Sequence, residues 1–142
     1  MDDQNREYED YEALHDELFA LLDQHRMKAL SQKLNEMNEF EKELKDWGAV
    51  IIKFWVQIDK DTQLERFQER QNNPEKQWKI TDEDWRNREK WDAYEVAVNE
   101  MLQKTNTSFA PWHVLESVDK KYARIKALRI VISEIEKALK EN

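Results

Sequence analysis

Ala49-Val50-Ile51-Ile52-Lys53-Phe54-Trp55-Val56 is an almost uninterrupted run of β-branched and aromatic side chains. A strand buried on both faces has this composition, because neither face then turns toward water. The run predicts a central parallel strand over residues 49–56. Directly before it stands Gly48, the one glycine of the chain, placed to end a helix in the left-handed conformation. That helix is predicted over residues 31–46 from Leu34, Met37, Phe40 or Glu41, and Leu44, spaced three or four apart. Further upstream, Tyr11, Leu14, Leu18, Leu21 and Leu22 form a stripe among acidic neighbours. They predict a separate amphipathic helix over residues 2–25.

Downstream of the strand, a polar helix is predicted from Asp61 to Asn72, because the residue before Pro74 avoids the helical region. A linker with Lys76, Trp78 and Lys79 follows. Thr81 is a candidate N-cap for a long helix reaching Lys104, with Asp82, Glu83 and Asp84 at its positive end. Its expected core stripe is Trp91, Tyr94, Val98, Met101 and Leu102. Trp85 lies about 120° off that stripe and must pack elsewhere or be exposed. Trp112-His113-Val114-Leu115 reads as a second strand, and a last helix begins near Asp119 with Ile125, Leu128, Ile132, Ile135 and Leu139 as its apolar face. Two strands separated by helices imply a parallel pair joined by a right-handed crossover, so the fold class is helix-rich α/β.

A length of 142 residues fits one ordinary domain. Charged residues make up 38%, yet six Trp, five Phe and four Tyr supply apolar surface that disordered chains lack, so the chain is expected to fold. Without cysteine there is no disulfide, thiolate metal site or cysteine nucleophile, which fits a reducing compartment. No run of about 18 apolar residues exists and the N-terminus is acidic; a cytoplasmic protein with no membrane partner is expected. The net charge of −8 argues against non-specific nucleic-acid binding. It is uneven, since residues 1–47 hold 14 acidic and 6 basic side chains while the remainder hold 17 of each.

Arg66 and Arg70 lie four apart on one helix face, where like charges repel by about 0.2–0.5 kcal/mol unless an anion bridges them. Lys76 and Lys79 surround Trp78 in the linker, and Arg86 and Arg88 open the next helix. A basic helix-linker-helix between two parallel strands can close over phosphates and offer arginine donors to transferred charge. It can equally be a solvated face: Glu65 and Glu69 flank the same arginines, and residues 60–90 hold eight acidic and eight basic side chains. His15, His25 and His113 show no metal-ligand spacing; the first two read as surface residues and the third as packed or partner-facing. Asp82, Glu83 and Asp84 could be imagined around magnesium, but capping and the helix dipole account for them. Trp47, Trp55, Trp91 and Trp112 read as core. Trp78 and Trp85 are candidates to touch a nucleotide base or a lid partner.

Several ordered blocks resemble the C-terminal part of the polyphosphate kinase 2 family. They are Lys53-Phe54-Trp55, Gln63-Leu64-Glu65-Arg66-Phe67-Gln68-Glu69-Arg70, Pro74 to Thr81, Trp85 to Tyr94, Ala110-Pro111-Trp112-His113-Val114, and Asp119-Lys120-Lys121-Tyr122-Ala123-Arg124. Together they extend over roughly residues 36–140. The resemblance implies a P-loop kinase fold like thymidylate kinase, which transfers phosphate between inorganic polyphosphate and a nucleoside mono- or diphosphate with magnesium. It implies that residues 61–104 form the lid and that Arg66, Arg70, Lys76 and Lys79 clamp polyphosphate or the transferring phosphoryl group.

The departures are equally specific. The family's Gly-x-Asp-x-x-Gly-Lys loop, whose backbone N–H groups cradle phosphates, cannot be built from Gly48 alone. The second motif, an Asp-Arg-Ser-Trp-Tyr-like strand end, is also absent. Residues 1–30, an acidic helix, match no block, and residues 31–142 form the kinase-like C-terminal domain. The expectation is a truncated polyphosphate kinase 2-like protein, inactive alone, with no complete catalytic set and no metal ligand of its own. The alternatives are a non-catalytic polyanion-binding module and one part of a split kinase. In each case the partial sheet implies a homo-oligomer or a missing N-terminal half.

Overall fold

The structure is a computed structural model that describes residues 2–141, with side chains from residue 13 onward. Tyr11 of the predicted stripe lies outside the described side chains. The chain divides into two compact units, Met1–Met37 and Asn38–Asn142.

The first unit is helical throughout. Helix α1 (Asp2–Trp47) begins in it and continues into the second unit, so the two predicted helices are one. Neither glycine nor proline interrupts residues 2–47, and the expected break at 26–30 is Arg-Met-Lys-Ala-Leu, all good helix formers. What looked like a break is a change of face. At about 100° per residue, the stripe of Leu14, Leu18, Leu21 and Leu22 is rotated by roughly 120° from that of Leu34, Met37 and Leu44. Leu34 is buried, whereas Leu14, Leu18, Phe19, Leu21 and Leu22 are exposed.

In the second unit, α1 closes as expected at Gly48, whose φ of 110° lies in the left-handed region. The Gly48 N–H donates to Lys45 O at 3.0 Å and the Ala49 N–H to Leu44 O at 2.9 Å, satisfying two carbonyls of the last turn. Strand β1 (Lys53–Gln57) starts four residues later than predicted. Its partner β2 (Trp112–Glu116) offers only five residues, paired in parallel from Lys53 opposite Trp112 to Gln57 opposite Glu116. These are the only two strands among the described residues, so burial of β1 on both faces is not achieved: Val56 is exposed and the far edge of each strand is open.

Helix α2 (Lys60–Asn72) is capped by Asp59, whose carboxylate accepts from the Thr62 N–H at 2.6 Å. A 3₁₀ turn (Gln77–Lys79) follows. The predicted long helix is two, α3 (Asp82–Glu89) and α4 (Trp91–Lys104), divided at Lys90 with φ −97° and ψ 21°. Thr81 opens α3 as predicted, and the Asp84 carboxylate accepts from its N–H at 2.8 Å and its hydroxyl at 3.1 Å. In α4, Trp91, Val98, Met101 and Leu102 are half-buried but Tyr94 is exposed.

Helix α5 (Lys120–Glu141) turns away from its predicted orientation. Ala123 is buried and Ala127, Ile130, Val131 and Ala138 half-buried, while Ile125, Leu128, Ile132, Ile135 and Leu139 are exposed. Small side chains let the helix approach the strands closely. Lys126 fixes the rotation by donating to Val114 O at 2.8 Å and Glu116 Oε2 at 2.7 Å. Trp47 is a second correction: at the frayed last position of α1 it is 84% exposed rather than core. The buried core of this unit is small: Phe67, Ala110, Leu115 and Ala123, with Thr105 and Ser117 as the buried polar side chains.

Candidate functional site

The loop leaving β2 and the first turn of α5 meet the face of α2 in a groove lined by Thr62, Glu65, Arg66, Glu69, Val118, Asp119, Lys120 and Lys121. Local sequence explains its shape. Asp119 caps α5, its carboxylate accepting from the N–H groups of Lys121 at 2.9 Å and Tyr122 at 3.2 Å. This places two lysines where strand gives way to helix.

Within the groove, Arg66 donates to the carbonyls of Ser117 and Val118, tying α2 to the β2–α5 loop. Lys76 reaches back from beyond the end of α2 to Glu69 Oε1 at 2.6 Å. The hydrogen bond from Lys76 holds the Glu69 carboxyl below the usual carboxylate range, followed by the charges of Lys76, Lys120 and Arg70. One carboxylate is thus held by one direct ion pair, with Lys76, and by the weaker fields of Lys120 and Arg70. The groove lining itself balances Glu65, Glu69 and Asp119 against Arg66, Lys120 and Lys121.

The predicted residues divide sharply. Arg66 lines this groove and Lys76 reaches its Glu69, whereas Arg70 is half-buried outside the lining. Lys79 instead sits 5.2 Å above the ring of Trp78, which is 76% exposed and anchored by its Nε1–H to Glu75 O at 3.0 Å. Trp85 is taken up by packing edge-on against Phe67 at 5.2 Å, so its position off the α4 stripe has a structural cause. Arg88 is a strut, donating to Lys60 O at 2.7 Å and Gln63 Oε1 at 3.2 Å. Arg86 is exposed on the short helix α3. His113 packs near Phe54, ring centres 5.9 Å apart. Lys120 and Lys121 are the groove residues that charge reading missed; the signal was their position directly after a strand, at a helix start.

Among the described residues no three carboxylate or histidine side chains gather to hold a metal, and Asp84 is engaged in capping α3. No residue of this chain is assigned to a metal.

The acid response of the fold follows from three carboxylates. Glu116 is held low by its hydrogen bond from Lys126, Asp59 by the Thr62 N–H, and Glu69 as described. A depressed folded-state pKa adds stability above the unfolded value and loses it as pH falls through the folded one. Lys126, raised by Glu116, contributes below the unfolded lysine value and loses that only in strong alkali. Urea midpoints should therefore be level near neutrality and decline from about pH 5 downward. The decline should be shallower in Glu116→Gln; an unchanged acid limb would remove Glu116 from this account.

Two parallel strands joined through a helical insertion, with Lys120 and Lys121 just past the strand-to-helix turn, define part of an α/β fold. Comparison with known proteins places it more closely. The family described as polyphosphate kinase 2 matches residues 7–142, reaching N-terminal to the blocks that carry the resemblance. The chain belongs to the polyphosphate kinase 2 family. It is 50% identical over 107 residues to the polyphosphate:AMP phosphotransferase of Pseudomonas aeruginosa, covering 75% of this chain and 22% of that one. A solved candidate polyphosphate kinase 2 from the same species superposes with a TM-score of 0.75 at 49% identity, over 78% of this chain and 24% of the other. Polyphosphate kinase 2 from Arthrobacter aurescens gives a TM-score of 0.73 at 34% identity, over 75% and 38%. The chain spans about a fifth of the length of the first curated relatives it matches. No described helix is long and apolar enough to cross a membrane.

Proposed function

We propose that these residues are the polyphosphate-gripping lid part of a polyphosphate:nucleotide phosphotransferase, and that they bind inorganic polyphosphate without transferring phosphate on their own. The lid extends over about residues 61–104, and α5 contributes Lys120 and Lys121 from its first turn. The observation that carries the reading is Glu69, paired with Lys76 at 2.6 Å beside a groove that Arg66, Lys120 and Lys121 also line, in a chain whose relatives are named for polyphosphate. Arg66 positions the groove through its backbone bonds. Trp78, exposed beside Lys79, is the side chain free to stack on a nucleotide base.

Titration calorimetry with long-chain inorganic polyphosphate tests it. Binding should weaken steeply with salt, and Arg70→Ala or Lys120→Ala should each lower the salt slope by about one. Glu69→Gln should tighten binding, because it removes the negative charge at the centre of the cations. No binding at low salt, or weaker binding in Glu69→Gln, would sink the proposal. The open edge of β1 favours a second reading, in which the same residues complete a kinase whose phosphate loop resides on another polypeptide.

A further inference from the structure

All of the net charge resides in residues 1–25, which contain nine acidic residues and one basic. The described part of that stretch also exposes an apolar stripe: Leu14 is 65% exposed, Leu18 54%, Leu21 56% and Leu22 43%. Glu17 lies three residues after Leu14 and four before Leu21, so the acid flanks the stripe on the same side of the helix. Helix α5 has the opposite character. Its 22 residues carry seven basic and three acidic side chains. Its exposed apolar row runs from Ile125 through Leu128 and Ile132 to Leu139, the ends being 52% and 70% exposed. Lys121, Arg124 and Arg129, all exposed, lie three or four residues from members of that row.

We propose that the acidic stretch of α1 in one copy docks along the exposed face of α5 in a second copy, in a reciprocal two-fold dimer. Each helix presents an exposed apolar row, residues 14–22 of α1 and 125–139 of α5, so the shorter row can be covered entirely by the longer; such rows cost free energy in water and are relieved by helix-on-helix packing. The charges decide which row meets which. Two acidic stretches side by side, or two α5 faces, would juxtapose like charges; the acidic row against the basic one pairs them and sets the register. The exchange satisfies two-fold symmetry, since the surface each copy offers is the one its partner needs. The dimer does not depend on polyphosphate binding.

The absence of cysteine makes a direct test available. Leu22→Cys and Leu128→Cys are placed in separate full-length chains, mixed, oxidised and compared with each variant alone; Leu18→Cys and Ile125→Cys, which share the parallel register that brings Glu17 to Lys121 and Arg124, serve as a second pair. A disulfide heterodimer exceeding either homodimer in at least one pair is expected, together with a dimer in sedimentation velocity. Leu18→Glu with Leu22→Glu should weaken self-association by at least about tenfold while leaving the helical circular dichroism unchanged. Lys121→Glu with Arg124→Glu should weaken it also, and mixing that variant with Glu17→Lys should restore it. A monomer throughout, a cross-link formed only within one chain carrying both cysteines, or cross-linking confined to like helices would overturn the proposal.

Discussion

Replacing Glu41 by alanine is expected to cost the fold about 3–5 kcal/mol. Glu41, near the end of α1, accepts from Lys53 Nζ at 2.9 Å, and the two side chains are only 15% and 9% exposed. Lys53 opens β1, donates also to Thr105 O at 2.6 Å, and sits 5.0 Å over the ring of Trp112, which opens β2. The Thr105 hydroxyl accepts from Trp112 Nε1 at 2.8 Å and donates to Met101 O at 2.6 Å. One ammonium group thus joins α1, both strands and the end of α4. Without Glu41 it keeps a single backbone acceptor and remains largely out of water, the circumstance in which a broken ion pair costs most. Urea unfolding at neutral pH measures the loss. Glu41→Met combined with Lys53→Met should be close to the native chain in stability, because removing both charges leaves none stranded. A loss below about 1 kcal/mol in Glu41→Ala would place the pair among ordinary surface bridges.

The second large effect is on activity. Incubated with polyphosphate, magnesium and AMP or ADP, the 142-residue chain should form no ADP or ATP above the uncatalysed background, as read by coupled luciferase or chromatography. Phosphoryl transfer is catalysed mainly by positioning and by charge stabilisation. The lid cations supply only part of that. Backbone N–H groups must also converge on the transferring phosphate, which takes several glycines in one loop. The chain has one glycine, and its positive φ is committed to closing α1. Even an arginine that contributes about 10³–10⁵ in rate does so against phosphates already held in place. Turnover that survives rigorous purification would show that another part of the chain provides this cradle.

Much of the second unit was legible from residue types. Gly48 ended α1, Thr81 opened α3, and the strands overlap the two β-rich runs, each ending one residue beyond its run, because each rests on local backbone preference. The failures share one cause. The faces assigned to β1, to Trp47 and to α5 were inferred by assuming that apolar residues are inside, and that holds only where enough chain is present to cover them. With two strands, burial goes to small residues such as Ala110 and Ala123, while Ile125, Leu128 and Leu139 face outward. Lys126 decides the rotation of α5, and a single polar anchor is invisible to periodicity. The division at Lys90 was similarly hidden, since no glycine or proline marks it. In the groove, Arg66 was legible from its spacing on one helix; Arg70 and Lys76, singled out with it, are not among the lining side chains. Lys120 was missed because it arrives from about 50 residues further along the chain.

The acidic start of α1 has a further effect that concerns the chain as a colloid. Residues 26–142 carry 22 acidic and 22 basic side chains. That body is isoelectric near neutrality and exposes Trp47, Trp78 and Leu139. Particles of this kind flocculate, because nothing keeps them apart. The first 25 residues supply the repulsion, as a short polyelectrolyte attached to an otherwise neutral grain. A protease that clips this stretch leaves the groove between α2 and α5 intact, yet it is expected to lower solubility near neutral pH, which light scattering would read.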